Sequence, residues 1–262
     1  MIQVLIINLN CATDRLSFQT AQMAALGIDS ERVPAVDIAH LPLKNEAFWS
    51  SWERPMRIAE QACFLSHYQV WQRVAAGSKP VFIMEDDAVL SKEVPKLLAR
   101  VETVQGIDHL TLETRGRKKL LARKQHAILP IRRLYQDRSG AAAYVLWPSG
   151  ATKLLARTRD HAAITDAVIC AAYELASFQA DPALAIQLDR CLAYGLPESL
   201  KTQSSISKEY LPRKKSLRYR FRRLVSQARM GLRQLAHSLD AERRLVHIEP
   251  TDFVYLEKPS KH

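Results

Sequence analysis

The 262-residue sequence contains no apolar run approaching the ~18 residues a membrane-spanning helix requires, which argues against a spanning segment. Cysteine is scarce and scattered: Cys11, Cys63, Cys170 and Cys191 form no Cys-x-x-Cys and no Cys/His pairing at zinc spacing. A zinc module and a secreted disulfide scaffold are thereby disfavoured, and a reducing cytosol is expected, with cysteine serving as a small core residue. Internal repeats and low-complexity tracts are absent. The apolar start, Met1 to Leu9, lacks a basic leading region and a small-residue cleavage site, so it reads as a first strand and not as a signal peptide.

The chain is not short of apolar residues (47%), enough for one large α/β domain with a sizeable core. Its net charge of +11 is unevenly spread: residues 208–244 hold 12 Lys/Arg against 3 Asp/Glu, whereas residues 1–207 come to only +3. Residues 1–207 are therefore expected to be the catalytic domain and 208–262 a basic helical tail.

Periodicity predicts strands at Val4–Leu9, Arg32–Val36, Val81–Met84, His109–Glu113, Ala141–Leu146 and Ala183–Leu188. Helices are predicted from Thr13, as N-cap, to Leu26 with Gly27 as C-cap, and over Glu60–Ala76, Lys92–Thr103, Ser149–Arg157 and Ala167–Ser177. Ser149 is the expected cap of its helix. The alternation points to a mainly parallel sheet covered by helices on both faces. The basic stretch 114–133 reads either as a solvated loop or as a surface for an acidic glycolipid.

The strongest chemical signal is Val81-Phe-Ile-Met-Glu85-Asp86-Asp87. Four consecutive apolar residues leave the strand no solvent face, and three carboxylates stand at its carboxyl end, where open α/β sheets gather their ligands. Adjacent anions at the rim of a core repel one another and call for a cation. Oxygen ligands suit Mg²⁺ or Mn²⁺, which commonly carry a substrate diphosphate. A solvated acidic turn is the competing reading.

Several segments in order resemble glycosyltransferase family 25, the lipopolysaccharide-biosynthesis glycosyltransferases. They are Ile6-Ile-Asn8-Leu-Asn10 with Asp14-Arg15, Pro34-Ala-Val-Asp37, Cys63-Phe-Leu-Ser66-His67 through Trp71, and Val81 to Asp87. Gly140 with Ala143-Tyr144, Ser149-Gly150-Ala151, Thr165-Asp166 and Gln203-Ser-Ser205-Ile206 continue the match to about residue 207. The chain departs from the family pattern in having Ile38 after Asp37, and Gln61-Ala62 before Cys63, where glycine is usual.

The resemblance implies a single domain of the GT-A kind that moves a hexose, galactose foremost, from a UDP-sugar with inversion of configuration. The implied acceptor is a hydroxyl of a lipopolysaccharide or lipooligosaccharide core, a glycolipid or oligosaccharide. Asp87 is the expected metal ligand, assisted by Asp86, with Glu85 facing the ribose or donor sugar. Glu85 is also a catalytic candidate, and Asn8, Asn10, Arg15, Asp37, Ser66, His67 and Asp86 are the further donor-binding candidates, Arg15 also reading as a helix-surface residue and His67 as a core histidine. Asp166 stands as general base, third metal ligand or helix cap.

In residues 216–240, Leu217, Phe221, Leu224, Val225, Ala228, Leu232, Leu235 and Leu239 recur at helical spacing among arginines. Such a helix suits an anionic membrane surface, with Arg218, Arg222, Arg223 and Arg229 at the headgroups. Packing of the same stripe on the enzyme or in a dimer is the alternative. The expected location is cytoplasmic, peripheral at the inner face of the bacterial cytoplasmic membrane. A nucleic-acid binder is the main rival, but no binding motif accompanies the basic helix and the acidic triplet goes unexplained. A metal-dependent phosphohydrolase or nucleotidyltransferase is the second.

Overall fold

The structure is a computed structural model that describes residues 2–41, 46–197, 200 and 216–253. The expected closing motif Gln203–Ile206 lies outside the described residues. In chain order the elements are Gln3–Asn8 (β1), Thr13–Leu26 (α1), Glu31–Pro34 (β2), Glu46–Trp49 (α2), Ile58–Ala75 (α3), Val81–Glu85 (β3) and Ala88–Leu90 (β4). Val94–Val101 (α4), His109–Thr111 (β5), Lys119–Gln125 (β6), Ile131–Gln136 (β7), Ala143–Leu146 (β8) and Pro148–Arg157 (α5) follow. Thr165–Ala171 (α6), Ser177–Ala180 (β9), Ala185–Gln187 (β10), Leu217–Ala236 (α7) and Ala241–Arg244 (β11) complete the chain.

Nine strands form one sheet in the order β11-β6-β7-β9-β5-β8-β3-β1-β2, and β10 pairs with β4 in a small second sheet. The expectation of a mainly parallel sheet is corrected. Only β1–β2, β1–β3 and β5–β9 run parallel. The pairs β3–β8, β5–β8, β7–β9, β6–β7 and β6–β11 are antiparallel. The reason is visible in the central run: β8 inserts antiparallel between β3 and β5, so the βαβ character is confined to the first third of the chain.

The sheet separates two apolar layers. Phe82 and Met84 of β3 face one, with Leu97, Leu98, Leu110 and Val145. Ile83 faces the other, with Phe64, Trp71, Tyr144 and Leu154. Strand β3 is thus buried on both sides, as its unbroken apolar run requires.

Several local expectations change. Gly27 ends α1 in the left-handed conformation at φ 62°, but Ala12, not Thr13, is the N-cap. Glu60 closes a capping box onto the Arg57 backbone N–H at 2.9 Å, so α3 starts two residues before Glu60. Ser149 is inside α5, with Trp147 at the cap position; its hydroxyl donates to Asp108 at 2.6 Å instead. Gly150 is needed there because a Cβ would stand 2.2 Å from the Asp108 carbonyl oxygen. Helix α6 ends at Ala171, and Ser177 already opens β9.

The basic stretch 114–133 is not a loop throughout, although Arg117, Lys118, Arg123 and Lys124 are exposed. It folds into β6 and the start of β7, and Lys119 is 1% exposed. Lys119 Nζ lies 2.6 Å from Asp137 and donates to Gln179 at 2.5 Å and to the Glu113 carbonyl at 2.9 Å. Arg132 pairs with Asp181 at 2.6 Å, and Arg133 donates to the carbonyls of Ser177 and Leu175.

The unit expected over 208–262 is also not a separate tail throughout. Strand β11 forms one edge of the main sheet, and Val246, Ile248 and Phe253 are buried with Leu121 and Leu134.

Candidate active site

Strand β3 carries Glu85 to the carboxyl edge of the sheet, Asp86 and Asp87 make the turn, and β4 leaves at Ala88. The turn is held from below by two glutamines that the sequence reading passed over. Gln19 donates to the Asp86 and Ala88 carbonyls at 3.0 and 2.8 Å. Gln22 donates to Ala88 O at 3.0 Å and accepts from the Leu90 N–H at 2.8 Å. Both are fully buried. The signal available was two amides on the Met23 side of α1, where apolar residues would ordinarily face the core.

The three carboxylates have three different surroundings. Asp86 accepts from Asn8 Nδ2 at 2.8 Å and from Arg15 Nη1 at 3.0 Å, so its charge is matched inside the protein. Glu85 accepts from His67 Nε2 at 3.0 Å. Burial alone would push the Glu85 carboxyl up; the His67 hydrogen bond and charge outweigh burial and hold it below the usual carboxylate range. Asp87 has no such partner: its Oδ1 is buried without a hydrogen bond. Burial first, then the neighbouring charges of Glu85 and Asp86, push Asp87 up to about 8.

Such an oxygen beside two further carboxylates has the chemistry to hold a cation, and an oxygen donor suits Mn²⁺ or Mg²⁺. The turn at Leu188–Arg190 approaches Asp87 through the Leu188 N–H to Asp87 carbonyl bond of 2.9 Å. It brings Asp189, whose charge acts on Asp87 and which Arg115 pairs at 3.0 Å. Neither Arg115 nor Asp189 was singled out as a site residue. Their convergence on the acidic turn joins positions some seventy residues apart, and no local pattern marks it.

Behind Glu85 stands a polar chain. His67 is fully buried, with Nδ1 2.8 Å from the Tyr144 hydroxyl, which also accepts from Trp71 Nε1 at 2.9 Å. Cys63, His67 and Glu85 offer ligand atoms within 4.8 Å of one another. His67 already uses both ring nitrogens, however, and burial pushes the Cys63 thiol well up, away from the thiolate a metal would need. The trio is a hydrogen-bonded network.

Asp166 does not cap α6; Ile164 holds the cap position, without a side-chain cap. Among the described residues Asp166 makes no side-chain hydrogen bond that would occupy it. Burial and the Glu85 charge push it up to about 6, while Arg115 and His67 pull the other way.

The remaining donor-binding candidates divide. Asn8 is buried and spent within the protein, on Asp86, the Ala12 carbonyl and Arg32. Ser66 is buried, donating to Ala62 O at 2.8 Å and accepting from the Val36 N–H at 2.9 Å. These two tie strands to helices in this structure. His67 and Asp86 are likewise turned inward, the first towards Glu85 and the second towards Arg15. Asn10 accepts from Arg32 at 2.6 Å, and Asp37 accepts from the Ala39 N–H at 3.0 Å; both remain exposed at the same sheet edge.

A groove of about 520 Å³ runs between α6 and α7. Ala167, Val168 and Ala171 give it an apolar wall, and Arg157 and Arg229 add positive charge. Asp166 precedes Ala167 on α6 and does not itself line the groove.

Comparison with known proteins agrees with this arrangement of motifs. The model of glycosyltransferase family 25 (LPS biosynthesis protein) matches residues 1–169. The chain is 26% identical over 164 residues to lipooligosaccharide biosynthesis protein lic2B of Haemophilus influenzae, covering 57% of this chain and 60% of that protein. It is 35% identical over 98 residues to a glycosyltransferase 25 family member of Anopheles gambiae, covering 32% of this chain and 16% of that one. Among solved structures, the inositol-1-phosphate CTP transferase from T. maritima aligns at a TM-score of 0.35 and 11% identity over 71% of this chain and 68% of its own, a likeness too loose to build on. No helix among the described residues is long and apolar enough to cross a membrane. The family match spans well over half of the chain and contains the acidic turn with Asn8, Arg15, Gln19, Gln22 and His67: the chain belongs to glycosyltransferase family 25.

Proposed function

We propose that the protein transfers a hexose, galactose foremost, from a UDP-sugar to a hydroxyl of a lipopolysaccharide or lipooligosaccharide core, with inversion and with the help of Mn²⁺ or Mg²⁺. The observation that carries this reading is Asp87 at the tip of the central strand, half-buried, with its Oδ1 enclosed and without a hydrogen bond, in a chain of this family. A divalent ion held there would supply charge neutralisation to the departing diphosphate. Asp87 is the direct ligand in this account. Asp86, locked to Arg15, fixes the turn and does not join it.

The chain's own residues do the rest. Glu85, oriented by His67 and partly exposed, faces the donor sugar or ribose. Arg115, held beside the turn by Asp189, adds positive charge on the diphosphate side. Asp166, with a pKa of about 6, is ionised at neutral pH yet basic enough to take the acceptor's proton as its oxygen attacks the anomeric carbon. The groove between α6 and α7 is read as the acceptor side, since it opens beside α6, the helix that carries Asp166. The domain is read as GT-A-like despite its mixed sheet, because the β1–α1–β2 and β3 portion retains the parallel nucleotide-binding arrangement. A lipid-borne acceptor puts the enzyme at the inner face of the bacterial cytoplasmic membrane.

The test is a donor screen by thermal shift, with and without Mn²⁺. UDP-galactose or UDP-glucose should raise the melting temperature only when Mn²⁺ is present, and product analysis should show an inverted anomeric centre. A retained configuration, or stabilisation by no UDP-sugar, contradicts the reading.

A further inference from the structure

Helix α7 sits on the protein the wrong way round for an ordinary surface helix. Its contacts with the body are polar: Arg222 donates to the carbonyls of Ser50 and Trp52 at 2.6 and 2.9 Å, and Gln234 bonds Gln136 at 3.1 Å. Arg233 donates to the Tyr135 carbonyl and lies over the Tyr173 ring, 4.3 Å from its centroid. Most of the apolar side faces outward, with Phe221 and Val225 also lining the groove towards α6. Leu217 is 82% exposed, Phe221 68%, Leu224 62%, Leu232 67% and Leu235 71%, and Leu239 just beyond the helix is 92% exposed. At about 100° per residue these six positions fall on an arc of roughly 80°, a single continuous stripe. Surface helices normally turn such a stripe to the core, and an exposed one of this size marks an interaction surface.

Charge decides what covers it. From Leu217 to Ala236 the helix contains no Asp or Glu, while Arg218 and Arg229 border the stripe on one side and Arg220 on the other. A second copy packing stripe against stripe would set arginines against arginines with no carboxylate on either helix to offset them. Anionic lipid headgroups supply the missing charge along both borders, and the acyl boundary accepts the leucines.

We propose that α7 is an interfacial helix that lies flat in an anionic bilayer surface, with Leu217, Phe221, Leu224, Leu232 and Leu235 in the acyl boundary. Arg218, Arg220 and Arg229 meet headgroup phosphates. Arg222 and Arg233, on the opposite side, fasten the enzyme body to the helix; Arg222 is therefore corrected from a headgroup contact to an internal one. Arg223, 3.7 Å from Glu53, belongs with the fastening side as well. This arrangement holds the groove between α6 and α7 beside the membrane surface.

The full chain is floated with phosphatidylcholine vesicles and with vesicles containing about 30 mol% phosphatidylglycerol, a surface charge that draws basic helices. At least about tenfold more protein should float with the anionic vesicles, and Leu224→Glu/Leu232→Glu/Leu235→Glu should abolish this. These side chains are exposed, so the variant should keep the parent's circular dichroism and melting temperature. A parent that stays unbound, or a triple variant that floats as the parent does, overturns the proposal. So does a parent that sediments as a dimer while the triple variant sediments as a monomer, which gives the stripe to a second copy. The readout requires no sugar transfer, so its failure is separate from failure of the catalytic reading.

Discussion

Arg15 and Asp86 form a half-buried ion pair, 3.0 Å between Nη1 and Oδ1, that joins the first turn of α1 to the acidic turn at the end of β3. With Asn8 also bonded to Asp86, one of three adjacent carboxylates is neutralised from within. His67 does the same for Glu85. The repulsion expected of three neighbouring anions is thus resolved twice by the protein and left open once, at Asp87. The residue left open is the one from which a cation would gain most.

Asp166 is the residue on which acceptor activation turns. Asp166→Asn should lower kcat by about 10²–10⁴-fold while leaving donor binding intact, measured by steady-state kinetics and thermal shift. A base acts only when ionised, so the parent's rate should fall as pH drops through about 6, the value to which burial and Glu85 raise this carboxyl. A bound dication nearby favours the ionised form and moves the midpoint down. An acid limb well above pH 6 would assign the titration to another group.

His67 is a positioning residue, since its ring meets Tyr144 and Glu85 and is fully buried. His67→Ala leaves both partners short of a hydrogen bond and opens a cavity, so it should cost about 2–4 kcal/mol in denaturant unfolding. His67→Gln keeps a donor towards Glu85 and should recover part of the lost rate. A His67→Ala enzyme with the parent's stability and kcat/KM would remove the support role.

Lys119 tests the reassignment of the basic stretch. Breaking its buried pair by Lys119→Met leaves Asp137 uncompensated and should destabilise the fold by about 3–5 kcal/mol. The double change Lys119→Met/Asp137→Leu should restore a good part of that. Were Lys119 a surface cation, the single change would alter stability by less than about 0.5 kcal/mol.

Much of this was legible because the signals are local. The unbroken apolar run of β3, the helical spacing of Phe64 and Trp71 and the glycine after Leu26 each announce their element within a few residues. The sheet's second half was not. Strands β6 and β7 carry Lys119, Arg123, Arg132 and Arg133, which read as a charged loop until their partners bury or match them. Strand β11 adds a charged edge whose partner is 120 residues earlier. The site divides in the same way. The acidic triplet is contiguous and was read as one unit. Which of its members is matched depends on Arg15, Asn8, His67 and Asp189, which no spacing rule brings together.

Titration calorimetry of Mn²⁺, in the presence of UDP-hexose, on the parent and on Asp87→Asn tests the central claim most directly. At pH 7 the parent should bind the ion and release about one proton, read from buffers of different ionisation heat, because Asp87 with a pKa of about 8 must shed its proton to become a ligand. The variant should fold as stably as the parent, or more so, and should not bind. Equal Mn²⁺ affinity in the two proteins would contradict the account.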